Sequence, residues 1–238
     1  MTDITLNESL ASSYDQARER LCNALESAGR TQDAAQLLAV SKTKPAAMIR
    51  QVWQLGQREF GENYLQEALE KQTELADLDG ILWHFIGPLQ SNKTRSAAEH
   101  FDWVHSVDRL KIAKRLSEQR PAHLAPLNIC LQVNISREES KAGVLPEELE
   151  ALAREVATLP NLNLRGLMAI PAPAEGIEAQ RQPLAALREA FTALQNALPE
   201  APLDTLSMGM SDDLEAAILE GATLVRLGTA IFGARQTA

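Results

Sequence analysis

The feature that most constrains this chain is an alternation of two patterns. Short β-branched or aromatic runs recur between longer stretches whose apolar residues lie three and four apart. The first pattern reads as a strand and the second as an amphipathic helix. Strand candidates fall at residues 37–41, 59–62, 82–86, 103–107, 127–135, 164–170, 205–208 and 223–232. Between them, Leu149, Leu152, Ala153, Val156 and Leu159 follow Pro146, which suits a first helical turn because its missing N–H needs no partner there. Leu184, Leu187, Phe191, Leu194 and Leu198 repeat the spacing. Leu214, Ala217 and Ile218 follow Ser211-Asp212-Asp213, which are expected to cap that helix, and Gly221 is expected to end it in a left-handed conformation.

Strands that alternate with helices pair in parallel through right-handed crossovers. Eight in 238 residues predict one α/β domain over residues 1–238, a closed (β/α)8 TIM barrel, with an open doubly wound sheet as the alternative. The eighth run extends to residue 232, so no helix is expected after it. Residues 6–27 are helical in character, with Leu10, Tyr14, Ala17, Leu21 and Leu25 on one face. This leading helix is expected to cover the barrel face that a last helix would otherwise cover.

Charge narrows the function. Lys and Arg total 23 against 32 Asp and Glu, so 23 − 32 = −9, with a pI near 5.0. Nucleic-acid binding needs a basic surface and is excluded; a local pocket for one small anion is not. No run approaches the ~18 apolar residues of a membrane helix, and the start carries no secretory signal. Cys22 and Cys130 form no CxxC pair and read as reduced, half-buried thiols of a cytoplasmic protein. The Asn-x-Ser/Thr triplets at Asn7, Asn92 and Asn134 then carry no glycan.

Barrel active sites form at the C-terminal ends of the strands. Those ends hold Lys42, Asn63, Gly87, Ser106, Asn134, Pro171, Ser211 and Gly228-Thr229. Lys42 continues the parity of Leu38 and Val40, so if those point inward it does too. Lost hydration there lowers an amine's pKa and leaves it nucleophilic. The plainer alternative is a rim lysine whose stem covers apolar surface. Lys44 precedes Pro45 and belongs to the following turn.

Ser207-Met-Gly-Met-Ser211-Asp-Asp and Arg226-Leu-Gly228-Thr229 occupy the seventh and eighth strand ends, where barrels frequently hold phosphate. Gly228 admits close backbone approach, and Arg226 shares its parity and points into the mouth. A plain strand–turn–helix is the alternative. A guanidinium among apolar strand residues needs a partner, which favours function. Residues 87–94 miss the Walker loop because Asn92 stands where its second glycine belongs, so Asn92 to Thr94 are expected to begin a helix. His84, His100, His105 and His123 lack metal-ligand spacing and read as structural or exposed.

These residues resemble the pyridoxal phosphate homeostasis protein family, itself similar to the barrel domain of bacterial alanine racemase. The matching segments are Leu38-Ala-Val-Ser-Lys42-Thr-Lys-Pro45, Phe60-Gly-Glu-Asn63-Tyr and Trp83-His-Phe-Ile-Gly-Pro-Leu-Gln-Ser-Asn-Lys93. They continue with Arg165-Gly-Leu-Met-Ala-Ile170, Leu206-Ser-Met-Gly-Met-Ser-Asp-Asp213 and Val225-Arg-Leu-Gly-Thr-Ala-Ile-Phe-Gly233. The resemblance implies that Lys42 forms a Schiff base with pyridoxal 5′-phosphate (PLP). It implies that Ser211, Gly228, Thr229 and Ser207 surround the phosphate. Arg226 would face the pyridine nitrogen, Met168 would lie beside the ring, and Asn63 would line the pocket. Lys141 corresponds to a lysine linked to a second site.

An arginine donates to the ring nitrogen and keeps it unprotonated, which weakens the cofactor as an electron sink. Racemases of this type also use a second domain and a partner subunit, for which the five residues after Gly233 leave no room. The resemblance therefore implies a monomer that buffers PLP and delivers it to apo-forms of PLP-dependent enzymes without turnover. The alternatives are a PLP-dependent racemase or lyase and a lysine Schiff-base aldolase acting on a sugar phosphate.

Overall fold

The structure is a computed structural model that describes residues 8–234. The expected helix start at residue 6 and the triplet at Asn7 lie outside the described residues. Eight parallel strands close into a barrel in chain order: β1 (Gln36–Val40), β2 (Glu59–Glu62), β3 (Leu82–Phe85), β4 (Trp103–Val107), β5 (Leu127–Gln132), β6 (Leu162–Met168), β7 (Thr205–Ser207) and β8 (Leu224–Leu227). β1 and β8 complete the ring, with Leu38 opposite Arg226 and Ala39 opposite Leu227. The open-sheet alternative is thereby excluded.

Helix α1 (Glu8–Ser27) precedes the barrel. The crossovers carry α2 (Ala46–Gln54), α3 (Leu65–Glu74), α4 (Thr94–His100), α5 (Leu110–Gln119), α6 (Pro146–Ala157), α7 (Ile177–Ala197) and α8 (Leu214–Leu219). Pro146 opens α6 as expected, and Gly221, at φ 92°, ends α8 in the left-handed region. A 3-10 turn over Ser91–Lys93 leads into α4, so the Walker-like segment is a helix entry.

Three expectations need correction. The eighth run is a strand only to Leu227; Gly228 turns the chain, and α9 (Thr229–Phe232) follows. Thr229-Ala-Ile-Phe reads as a strand by composition, and a short apolar run does not declare its period. In the fold, Ile231 and Phe232 are buried within the hydrophobic core. Second, the acidic pair before α8 does not cap it through a side chain; Asp213 Oδ1 instead accepts from the Met210 N–H at 2.7 Å. Third, the thiols are not both half-buried: Cys22 is exposed and Cys130 fully buried, both free, and burial pushes the Cys130 thiol up to about 12.

The leading helix does cover the barrel. Leu10, Tyr14, Ala17, Leu21, Ala24 and Leu25 are buried at helical spacing, and α1 packs on α2, α8 and α9. Each such large apolar side chain contributes about 1.5–3 kcal/mol when fully buried. Arg20 of α1 grips Glu215 of α8 through two 2.7 Å bonds and donates to the Ser211 carbonyl at 2.7 Å. Among the described residues, no helix is long and apolar enough to cross a membrane.

The strand period sorts the core into two parts. Leu37 and Ala39 join the large hydrophobic layer between sheet and helices, whereas Leu38 does not. The interior has its own small apolar cluster of Trp103, Cys130 and Met168. It also contains His84, His105, Ser207 and Arg226, which are buried polar side chains. At β2 the inner position is Gly61, where an added Cβ would meet Leu38 at 3.0 Å and Ile86 at 3.3 Å.

Candidate functional site

Lys42 lies just beyond β1, in a turn whose next residue, Thr43, has φ 64°. The chain on both sides of it is held. Ser41 Oγ donates to Glu62 Oε1 at 2.6 Å, and Lys71 Nζ donates to the Ser41 carbonyl at 2.7 Å and to the same Glu62 oxygen at 2.8 Å. Lys71 also pairs with Glu67, which accepts from the Thr43 N–H at 2.6 Å. Glu62 is fully buried, and burial raises its carboxyl pKa while Lys71 opposes that rise. Lys44 turns away, and its ammonium donates to the Ala234 carbonyl at 2.7 Å.

The β7 and β8 ends form the adjoining wall, since β8 pairs with β1. Gly209 takes φ 101°, and an added Cβ would sit 2.6 Å from that of Ala217. Its carbonyl accepts from the Arg226 N–H at 2.9 Å, tying the loop to β8. Ser211 is half-buried and steadied by Arg20. Gly228 approaches β1 closely, where an added Cβ would lie 3.2 Å from the Val40 carbonyl oxygen. Thr229 is exposed beside it. Val40 is two residues before Lys42, so the lysine and the Gly228 turn share one side of the mouth.

Arg226 points inward, as its parity indicates, and is 4 % exposed. Its Nη1 donates to Ser207 Oγ at 2.7 Å and its Nη2 to the Ala169 carbonyl at 3.0 Å. Burial pulls the guanidinium down to about 10, which still leaves it a cation at neutral pH. Among the described residues, no carboxylate forms an ion pair with it. Met168 is fully buried and is the register partner of Ser207. Asn63 carries a buried Oδ1 without a hydrogen-bond partner. Its backbone is pressed by Gly87, where an added Cβ would stand 2.2 Å from the Asn63 carbonyl oxygen.

This is a barrel mouth with a lysine, a buried cation and a glycine turn. Residues 15–236 match the family model described as alanine racemase, N-terminal domain. The pyridoxal phosphate homeostasis protein of Pseudomonas aeruginosa is 63 % identical over 227 residues, covering 95 % of this chain and 96 % of its own. The chain belongs to the pyridoxal phosphate homeostasis protein family. The family member of Escherichia coli K12 is 53 % identical over 229 residues, 95 % of this chain and 97 % of its own. PipY of Synechococcus elongatus PCC7942, solved with PLP bound, is 42 % identical and superposes with a TM-score of 0.80 over 90 % of this chain and 100 % of its own. The alanine racemase of Corynebacterium glutamicum, 19 % identical with a TM-score of 0.67 over 93 % of this chain and 62 % of its own, shares the fold.

Of the family-matched residues, Lys42, Asn63, Arg226, Gly228 and Thr229 lie at the carboxyl ends of β1, β2 and β8, and Ser211 in the loop after β7. Ser207 is deeper, with its hydroxyl committed to Arg226 and His105. Lys141 lies in the loop between β5 and α6, exposed and paired with Glu138 at 2.8 Å. Asn134 closes the 134–138 loop through both side-chain atoms, and Ser106 is buried within β4. Sequence reasoning missed Glu62, Glu67, Lys71 and Arg20, which steady the site from behind, and left His84 and His105 without a role. A cavity of about 590 Å3 at the barrel's opposite end, lined by Tyr14, Gln57 and Arg58, contains none of these site residues.

Proposed function

We propose that this chain binds pyridoxal 5′-phosphate, holds it covalently through Lys42 and hands it on to apo-forms of PLP-dependent enzymes with little or no turnover of its own. The observation that carries this is Arg226. It is a buried guanidinium that forms no ion pair with a carboxylate among the described residues, and it carries five N–H donors and no acceptor. A neutral heteroaromatic nitrogen is an acceptor that such a donor can satisfy.

The residues present fit the cofactor. Lys42 supplies the amine, and its backbone is clamped on both sides, which limits the positions its stem can reach. Ser211, Gly228 and Thr229 hold the phosphate, Met168 floors the ring, and Asn63 Oδ1 offers an acceptor still without a protein partner. When bound, PLP supplies an aldehyde that condenses with amines and a ring that can delocalise a carbanion. Arg226 can only donate, so it holds the ring nitrogen unprotonated and weakens that delocalisation. Amine exchange at Lys42 is retained while carbanion chemistry is poorly supported.

The reading draws on PipY, whose structure contains PLP, and on the relatives named for PLP homeostasis. The test is the visible absorption of bound pyridoxal in the purified protein, its loss in Lys42→Ala, and its decay as an apo-enzyme is added and becomes active. Racemisation or elimination of amino acids at ~1 s⁻¹, within the ordinary enzyme range, would instead identify an enzyme.

A further inference from the structure

We infer that His105, acting through Ser207, is a positioning residue for Arg226, within a hydrogen-bonded column across the barrel interior whose proton order is fixed from both ends. The column runs Arg226 Nη1 to Ser207 Oγ at 2.7 Å, Ser207 Oγ to His105 Nδ1 at 2.8 Å, and His105 Nε2 to His84 Nδ1 at 2.9 Å. His84 Nε2 has no hydrogen-bond partner and lies 3.8 Å from Glu59 Oε1, at the amino end of β2.

The order follows from what each group can do. A guanidinium only donates, so Ser207 Oγ must accept at the upper end. The hydroxyl has one proton, and its other neighbour is His105 Nδ1, which must accept it. A neutral imidazole that accepts at Nδ1 carries its proton on Nε2 and donates it to His84 Nδ1. His84 then carries its own proton on Nε2, the nitrogen 3.8 Å from the Glu59 carboxylate. The opposite order would aim a nitrogen lone pair at that carboxylate and leave the serine proton without an acceptor in the column. Both ends therefore demand the same direction.

The surroundings hold the rings in place. His84, His105 and Ser207 are fully buried, and His84 stacks on Trp103 at 5.3 Å and 9°. Burial, with His84 and Arg226 nearby, lowers the His105 pKa well below its ordinary 6.5, in keeping with a neutral ring. An acceptor at His105 orients the serine hydroxyl so that its lone pair meets Nη1. Without that acceptor the hydroxyl is free to turn, and one of the two bonds that aim Arg226 is lost. This rests on the reading that Arg226 faces the ring nitrogen of bound PLP.

Nitrogen-15 NMR of the full chain stripped of cofactor reads the order directly. Both buried histidines should be Nε2–H tautomers, and His105 should stay neutral below the ordinary histidine pKa of about 6.5. An Nδ1–H tautomer at His84 or His105 overturns the column. The second arm compares His105→Phe with His105→Gln, whose amide can accept from Ser207 and donate to His84. His105→Phe should release PLP about tenfold more readily, the size expected for one charge-assisted bond, with a displaced visible band. His105→Gln should restore both. Wild-type behaviour in His105→Phe, or equal impairment in both variants, overturns the positioning role. If His105→Phe does not fold, the tautomer measurement on the unaltered chain still decides. Failure of the unaltered chain to hold PLP would defeat the proposed function alone, because the tautomer order is read without cofactor.

Discussion

Lys71 Nζ donates to the carbonyl oxygen of Ser41 at 2.7 Å, one residue before Lys42. The lysine is 4 % exposed and shares its charge between Glu62 and Glu67, so a buried ion cluster on β2 and α3 anchors the turn that presents the proposed PLP-holding residue. Removing one partner of such a cluster strands a buried charge. Lys71→Met should cost about 3–5 kcal/mol in urea unfolding, and adding Glu62→Gln should recover part of that loss. A loss below about 1 kcal/mol, the range of surface pairs, would mean that the cluster does not anchor the turn.

Acid sensitivity should trace to His105. Its folded pKa lies well below the unfolded value of 6.5, so between the two the unfolded chain binds the extra proton. Stability is then complete above about pH 6.5 and falls as the pH drops, by about 1.4 kcal/mol per unit for this one group. Glu147 and Glu215, whose pKa values are lowered from 4.5 by Arg137 and Arg20, contribute losses of their own at lower pH. In urea melts across this range, His105→Gln should have a shallower slope than the unaltered chain. An unchanged slope would show that the ring already protonates in the folded state.

Helix α1 should matter to the site as well as to the fold. Arg20 joins α1 to Glu215 and to the Ser211 carbonyl. Arg20→Ala should cost only about 1 kcal/mol, because the pair is partly solvated, yet it should weaken PLP retention several-fold by loosening the Ser211 loop. Leu25→Ala, which empties a fully buried position on the same helix, should cost about 2–5 kcal/mol. Thermal melts and equilibrium dialysis separate the two effects.

Gly87→Ala tests the contact between β3 and β2 beneath Asn63. The added methyl would stand 2.2 Å from the Asn63 carbonyl oxygen, so the backbone must move. The expected outcome is a loss of about 1–3 kcal/mol, the usual cost of overpacking, with weaker PLP retention. Stability lost with retention unchanged would place Asn63 outside the pocket.

Much of this architecture is legible in the sequence because the strand period is short and strict. Alternation located all eight strands, and parity alone turned Arg226 inward. The same parity reaches His84, which alternates with Leu82 and Ile86, and His105, which alternates with Trp103; their role is invisible only until the strands are curved into one ring. The order of pairing is harder to read, since the register shifts between Val104 and Val107 and again between Ile129 and Cys130. The clamp around Lys42 left almost no trace. Glu67 and Lys71 look like an ordinary surface i,i+4 pair, and nothing in the spacing says that Lys71 reaches Ser41, 30 positions earlier.

The central claim is that Lys42 is the residue that holds PLP, and reduction followed by mapping tests it most directly. The chain is loaded with PLP, treated with borohydride to make the linkage permanent, digested and examined by peptide mass. The expected result is the pyridoxyl mass on Lys42, lost in Lys42→Ala. A pyridoxyl mass on Lys44 or Lys141 alone, or on no lysine, would contradict the account.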